Sequence, residues 1–374
     1  MNSVYDAIIV GGGVIGGSIA FQLAKRGKRV LVLEKDRLAG KASSAAAGML
    51  GAQAELEADD PLFTLANRSR GMFPALEKEL KESSGVDIEL VNKGMLKVAL
   101  TNEQAAGLQN KIKTQQAAGL EAEWLTAADI RKAEPLLANA LKGAMYIPHD
   151  GQVSAAKLAL AFTKSAEELG VEIKEFVEVC DFLTENGVIT GVVTTVGEFS
   201  SENVIVAGGA WSAFLLEKAG INLVTHPVKG ECFSVLTNRP LIEKTIFSDG
   251  CYLVPKIGGR IIVGATVKPN TFNQQVSIDG IATLIEKATR LLPAIKGTEW
   301  EKTWAGIRPQ TGDGLPYFGE HPACKGLFIA TGHFRNGILL SPITGVLMAD
   351  MVEGKPNQEW SAFRLDRSVQ PIFS

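Results

Sequence analysis

Val4-Tyr5-Asp6-Ala7-Ile8-Ile9-Val10-Gly11-Gly12-Gly13-Val14-Ile15-Gly16-Gly17, continued by Ser18 to Arg26 and then by Arg29-Val30-Leu31-Val32-Leu33-Glu34, decides the fold of this chain. A short run rich in Val and Ile, a glycine cluster and a stretch of helical spacing read as strand, tight turn and helix. Gly11, Gly13 and Gly16 fit G-x-G-x-x-G: the first permits the turn, the second lets a pyrophosphate touch the backbone, and the third packs helix on strand. Phosphates then face the helix N-terminus, where unpaired amides and the helix dipole favour anions. Glu34 ends the second strand, 18 residues past Gly16, where an acid accepts hydrogen bonds from a ribose 2′-OH and repels the 2′-phosphate of NADP. The pattern predicts an α/β, Rossmann-like dinucleotide domain and by itself does not separate FAD from NAD.

Composition limits the alternatives. The 374 residues suffice for about two domains of ~150 residues. With 46% hydrophobic and 21% charged residues the chain is an ordinary globular one. Lys and Arg (38) against Asp and Glu (41) give a net charge of −3, and no segment carries a basic stripe, so neither nucleic acid nor an anionic membrane is expected as a partner. Cys180, Cys232, Cys251 and Cys324 are far apart and form no CxxC, which argues against a zinc site or disulfide framework and predicts a reducing, cytoplasmic setting. His321 and Cys324 make an HxxC pair with too few ligands for a metal. The N-terminal apolar stretch lacks a basic flank and reads neither as a signal peptide nor as a membrane span.

Beyond the first fifty residues, helices and strands interleave without a clean βαβ series. Asp60 and Pro61 open a helix running to about Ser84. Ile88 to Leu100 reads as strands, and Ser154 is placed to cap a helix that Gly170 ends. Val228 to Leu236, Cys251 to Pro255 and Arg260 to Ala265 read as strands, with Gly258-Gly259 a hairpin turn, and they predict a second domain on a mixed or antiparallel sheet. Leu327 to Thr331 and Gly337 to Val352 read as a strand and a helix closing the first domain beside its first strand. The expected organisation is therefore discontinuous, with a cofactor domain of roughly residues 1–85, 150–220 and 310–374 and a substrate domain of roughly 86–149 and 221–309. The tail 361–374, with Arg364, Asp366 and Arg367, carries no motif and is open to packing on a neighbouring subunit.

Gly40-Lys41-Ala42-Ser43-Ser44-Ala45-Ala46-Ala47-Gly48-Met49 is too irregular for a core helix and reads either as lining for a long cofactor or as a tightly packed small-residue connection. Together with Gly11 to Gly16, Glu34, Pro227 to Cys232 and Gly332-His333-Phe334-Arg335-Asn336-Gly337-Ile338, it resembles the D-amino acid oxidase family of FAD enzymes, over nearly the whole length. The likeness is strongest to bacterial members that act on glycine and serve thiamine thiazole synthesis. It implies noncovalent FAD held by Gly11, Gly13, Val14, Ile15, Gly16, Glu34, Lys35, Ala42, Ser43, Ala47, Gly48, Met49, Val179, His333, Phe334, Arg335, Asn336, Gly337, Ile338 and Leu339. It also implies that Gly208-Gly209-Ala210-Trp211 returns beneath the flavin, that the strand ending at Val179 passes the adenine, and that the chain forms a homotetramer.

The chemistry follows from what is present. Four histidines without a nucleophile elbow or HExxH offer no hydrolase site. In a flavin enzyme the cofactor does the hard step, and the protein must orient the substrate's Cα–H. An amino acid substrate needs a carboxylate clamp, for which Arg308 in Ala305-Gly306-Ile307-Arg308-Pro309 is the best candidate, since a guanidinium presents a planar fork that stays charged. Read alone, it is equally a structural arginine at a strand end; the family motif favours the clamp, with Tyr252 on the same carboxylate and Arg335 as a second substrate-site arginine. The implied reaction is oxidation of glycine, sarcosine or small D-amino acids, with O2 as acceptor and no side-chain acid or base. Gly250 and Val267 depart from the family pattern and are expected to widen the pocket. The rivals are a dehydrogenase with another acceptor, a sarcosine oxidase with flavin on a cysteine, and a flavin-binding subunit without activity.

Overall fold

In the computed structural model, which describes residues 5–355 and 358–367, the glycine motif forms the strand Ala7–Val10, the helix Val14–Lys25 and the strand Val30–Glu34. Ala7–Val10 lies between Val30–Glu34 and Val204–Val206, parallel to both, and Cys324–Thr331 pairs parallel with Val204–Val206 on the far side. These strands are the centre of a nine-stranded sheet whose path runs from Gly197–Ser200 to Glu172–Glu175. Successive side chains point to opposite faces, and both faces are covered. Ala7, Ile9, Val30 and Val32 pack with Ile19, Leu65, Phe162 and Leu347 from four helices. Ile8, Val10, Leu31 and Leu33 pack with Phe182, Val192 and Leu216 on the other side. Burial on both faces is why these strands read as unbroken apolar runs.

The second sheet is also nine-stranded and mixed. Its longest pair is antiparallel, Thr225–Leu236 with Glu299–Thr311, in a register that sets Gly230 opposite Gly306 and Cys232 opposite Trp304. Met95–Ala99 pairs parallel with Thr245–Ser248 and antiparallel with Gly143–Ile147. Gly258 and Gly259, at φ 86° and 80°, make the expected turn between Cys251–Lys256 and Arg260–Gly264. Each sheet draws on separated stretches of chain: the first on 7–34, 172–206 and 317–331, the second on 95–147 and 225–311.

Local expectations fail where backbone partners lie elsewhere. Of Ile88 to Leu100 only Met95–Ala99 is strand, and upstream Val91 makes a single bridge to Gln152. Asp60 caps its helix by accepting from the Leu62 amide at 2.7 Å, but Ser154, at the corresponding position, makes no side-chain cap. Val179 does not end a strand; it begins Val179–Glu185, because Glu172–Glu175 stops at Phe176 (φ 60°) and the Val177 amide turns to the Glu34 carbonyl at 3.0 Å. Arg367 is engaged within its own chain: it grips Asp313 at 2.7 and 3.0 Å and lies 4.0 Å over the Tyr317 ring. Residues 368–374 of the tail lie outside the described residues.

Gly16 shows how tightly the motif is set, since a Cβ there would fall 1.9 Å from the Gly11 carbonyl oxygen, which is backbone and cannot yield. Gly16→Ala is therefore expected to destabilise the protein by about 1–3 kcal/mol or more through overpacking. Urea denaturation of the two proteins measures it, and equal midpoints would contradict the close approach.

Candidate active site

A cleft runs across the carboxyl ends of the parallel strands, where ligands of open α/β sheets bind. Gly11, Gly13, Val14, Ile15, Glu34, Lys35, Ala42, Ser43, Val179, His333, Phe334, Arg335, Gly337 and Ile338 line it, as do Gly208 to Ser212. The Glu34 carboxylate is fixed at the strand end by the amides of Gly12 (2.8 Å) and Asp36 (2.9 Å). Ser43 Oγ accepts from the Val14 amide at 2.9 Å and so ties the small-residue stretch to the start of the helix. That helix begins at Gly13 with no side-chain cap and no acid in its first turn, which leaves its amide end suited to an anion. A Cβ on Gly13 would meet Ser43 Oγ at 3.2 Å, so glycine keeps the cradle open. The residues present fit a dinucleotide.

Six expected cofactor residues stand outside the wall of this cleft. Gly16 packs against Gly11, Leu339 is buried at 2% exposure, and Asn336 occupies the N-cap of Gly337–Val352 without a side-chain bond. Ala47, Gly48 and Met49 instead line an adjoining cavity of ≈ 90 Å³, together with Tyr252, Arg308 and Arg335. The three expected substrate residues, more than fifty positions apart in part, thus meet at one small pocket with a floor of Ala42, Ala45 and Ala46. Gly250 and Val267 are not in its wall: Gly250 takes φ 71° in a turn and Val267 is 56% exposed.

Electrostatics single out one group. The Arg308 guanidinium lies flat against Gly230, where a Cβ would come within 2.1 Å of Nη2, and Nη1 donates to the Thr266 carbonyl at 3.2 Å. Among the described residues it has no carboxylate partner. Arg335 differs, pairing with Glu55 at 2.9 Å and standing 6.0 Å over Phe247. Tyr252 Oη is 3.5 Å from Cys232 Sγ, and burial raises both groups, so the hydroxyl and thiol stay neutral. Burial pushes His333 down to about 3; its Nε2 meets Thr344 Oγ1 at 3.2 Å. No neutral-pH proton donor or acceptor arises from these side chains.

Sequence reasoning missed Glu55. It sits on the short turn Ala52–Glu55, held by the fully buried Asp150, whose carboxylate accepts from the amides of Gln53 (3.1 Å) and Ala54 (2.8 Å) and pairs with Arg70. No motif marks these residues, since the contacts span about a hundred positions. Trp211, in the segment that the family resemblance brings to the cofactor, lines the cleft with Lys35 and Lys41 over its ring at 5.1 and 5.7 Å.

The family described as FAD dependent oxidoreductase (DAO) matches residues 6–351 of the sequence. The chain belongs to this family. FAD is accordingly the dinucleotide that the cleft takes. Among relatives, the glycine oxidase of Geobacillus kaustophilus is 49% identical over 100% of this chain and 99% of its own. The bifunctional protein ThiO/ThiG of Trichormus variabilis is 35% identical over 99% of this chain and 57% of its own length. The crystal structure of the Geobacillus kaustophilus glycine oxidase superposes with a TM-score of 0.96 at 48% identity, covering 99% of this chain and 100% of that one. Among the described residues no helix is long and apolar enough to cross a membrane.

Burial keeps the His333 imidazole neutral in the folded chain. Its neutral form contributes stability that is complete above the unfolded pKa of about 6.5 and is lost as pH falls toward about 3. At pH 5 the unfolded chain gains roughly 2 kcal/mol from protonating this residue, and the folded chain does not. Denaturation at pH 7.5 and pH 5 should show the native protein losing about that much more stability than His333→Gln. Parallel losses would mean that His333 takes up its proton while folded.

Proposed function

We infer that this chain catalyses the FAD-dependent oxidation of glycine and other small amines such as sarcosine and small D-amino acids. The observation that carries the reading is Arg308: a guanidinium without a carboxylate of its own, in a small cavity beside the cofactor cleft. When bound along the cleft, FAD would supply a two-electron acceptor for the substrate Cα hydride, with O2 as the final oxidant reduced to hydrogen peroxide. Arg308 binds the substrate carboxylate through its fork, and the neutral Tyr252 hydroxyl donates to the same carboxylate. Arg335, held by Glu55, closes the pocket beside the small-residue wall. These groups act by orientation. The substrate enters with its amine neutral, having released its proton to solvent, so no side chain is needed as base. Water hydrolyses the imino acid, and glycine, O2 and water become glyoxylate, ammonia and hydrogen peroxide.

The two sheets support a division of labour in which roughly 1–85, 150–220 and 310–374 would hold FAD and 86–149 with 221–309 would cover the substrate. Similarity to ThiO/ThiG supports a place in thiamine thiazole synthesis. The four cysteines, all free thiols, support a cytoplasmic setting, and the family resemblance supports a homotetramer, which sedimentation would test.

Anaerobic titration of the yellow protein with glycine, sarcosine and D-alanine should bleach the flavin bands, and air should restore them with release of peroxide. Bleaching without rapid recovery would replace O2 by another acceptor; no bleaching would remove the amine oxidase reading. Arg308→Ala should keep its FAD and lose roughly 3–5 kcal/mol in kcat/KM for glycine, and near-normal turnover would overturn the clamp.

A further inference from the structure

On the strand Thr225–Leu236, Gly230 and Cys232 line the substrate cavity, while Glu231 between them points to the opposite face, where it is fully buried. A buried carboxylate must be compensated, and this one is compensated densely. Lys229 Nζ lies 2.9 Å from Oε1 and Lys268 Nζ 3.5 Å from Oε2. The Ser277 amide donates to Oε1 at 2.7 Å, and the Thr266 hydroxyl donates to Oε2 at 3.0 Å. Burial alone would raise this carboxyl, but these partners bring it to about 2. Gly280 completes the nest, since a Cβ there would stand 1.9 Å from Oε2.

Thr266 is the link to the pocket. Three contacts latch it to Glu231: its hydroxyl donates to the carboxylate, its Oγ1 accepts from the Glu231 amide at 2.9 Å, and its own amide donates to the Glu231 carbonyl at 3.2 Å. Its remaining backbone group, the carbonyl, is the acceptor for Arg308 Nη1. Gly230 fixes the guanidinium from one side and the Thr266 carbonyl fixes it edgewise. A rotation of Thr266 would therefore turn the fork away from the cavity it lines.

We propose that Glu231 is a positioning residue for Arg308, acting through Thr266, so that a carboxylate on the hidden face of the strand sets the aim of the substrate clamp on its open face. The proposal rests on the reading of Arg308 as the ligand of the substrate carboxylate. It makes a demand that a mere brace does not: removing the Thr266 hydroxyl impairs recognition of a carboxylate, and restoring a hydroxyl at that position recovers it.

The test uses the FAD-loaded enzyme, with acetate as a carboxylate-only probe read by perturbation of the flavin spectrum, alongside steady-state kinetics with glycine. Thr266→Val keeps the side-chain shape and removes the hydroxyl; it should weaken acetate binding and raise KM about tenfold, with kcat changed by no more than about twofold. Thr266→Ser should restore both to within about twofold of the native enzyme. Glu231→Gln should resemble Thr266→Val, and if that variant does not fold, the Val and Ser pair decides. In an Arg308→Ala background Thr266→Val should add nothing, because the group it aims is gone. The proposal is overturned if Thr266→Val lowers Tm but leaves acetate affinity and KM native while Arg308→Ala abolishes acetate binding. If Arg308→Ala itself keeps native acetate affinity, the clamp reading and this proposal fall together.

Discussion

The alternation of side chains along Thr225–Leu236, paired antiparallel with Glu299–Thr311, is the constraint on which the active site depends. It delivers Gly230 and Cys232 to the cavity and withholds Glu231. The register places Arg308 opposite Val228, one diagonal step from Gly230, so its guanidinium lies over the one position without a side chain. A slip by one residue would reverse every one of these faces. The same ribbon carries Trp304, whose indole donates to the Ala45 carbonyl at 2.9 Å, and thereby joins the second sheet to the small-residue stretch of the cofactor cleft.

Charge is then concentrated by subtraction. Burial keeps Tyr252, Cys232 and His333 neutral, and Glu55 neutralises Arg335. Arg308 remains as a cation whose nearest described partner is a carbonyl dipole. A partly buried cation without a counter-ion favours an anion. A pocket organised in this way is good at holding and aiming a carboxylate and poor at moving protons, which matches chemistry in which the cofactor, and not a side chain, receives what leaves the substrate.

The parts of this arrangement that could be read from sequence are those fixed by nearby residues. Gly11 to Gly16, Glu34 and the helix Gly337–Val352 were legible because turn geometry, strand length and helical spacing are local properties. Glu55 was not, because its place depends on Asp150 and Arg70, which only the folded chain brings together. Val179 lines the cleft as the resemblance implies, but it begins its strand rather than ending one, because the boundary is set by a hydrogen bond from Val177 to Glu34 across the chain. Gly250 and Val267 were placed at the pocket by pattern, whereas the backbone carries one into a turn and the other toward solvent.

That last difference bears on selectivity. With Gly250 and Val267 outside the cavity wall, the size limit falls to Ala42, Ala45, Ala46, Ala47 and Gly48, which are already the smallest residues available, and to Met49, Tyr252 and the Arg335–Glu55 pair. The bulk in the wall comes from Met49, Tyr252, Phe334 and Ile338, with the Arg335–Glu55 pair beside them. An added methyl is worth only about 1–3 kcal/mol of discrimination in such a pocket. The ion pair is an uneven wall, since the Arg335 side chain is 42% exposed and that of Glu55 only 10%, and parting them would leave a largely buried carboxylate without its partner. The cavity is therefore bounded by the unpaired Arg308 cation together with Met49, Tyr252, Phe334 and the Arg335–Glu55 pair, and walls of this kind grade small molecules by size rather than excluding them sharply.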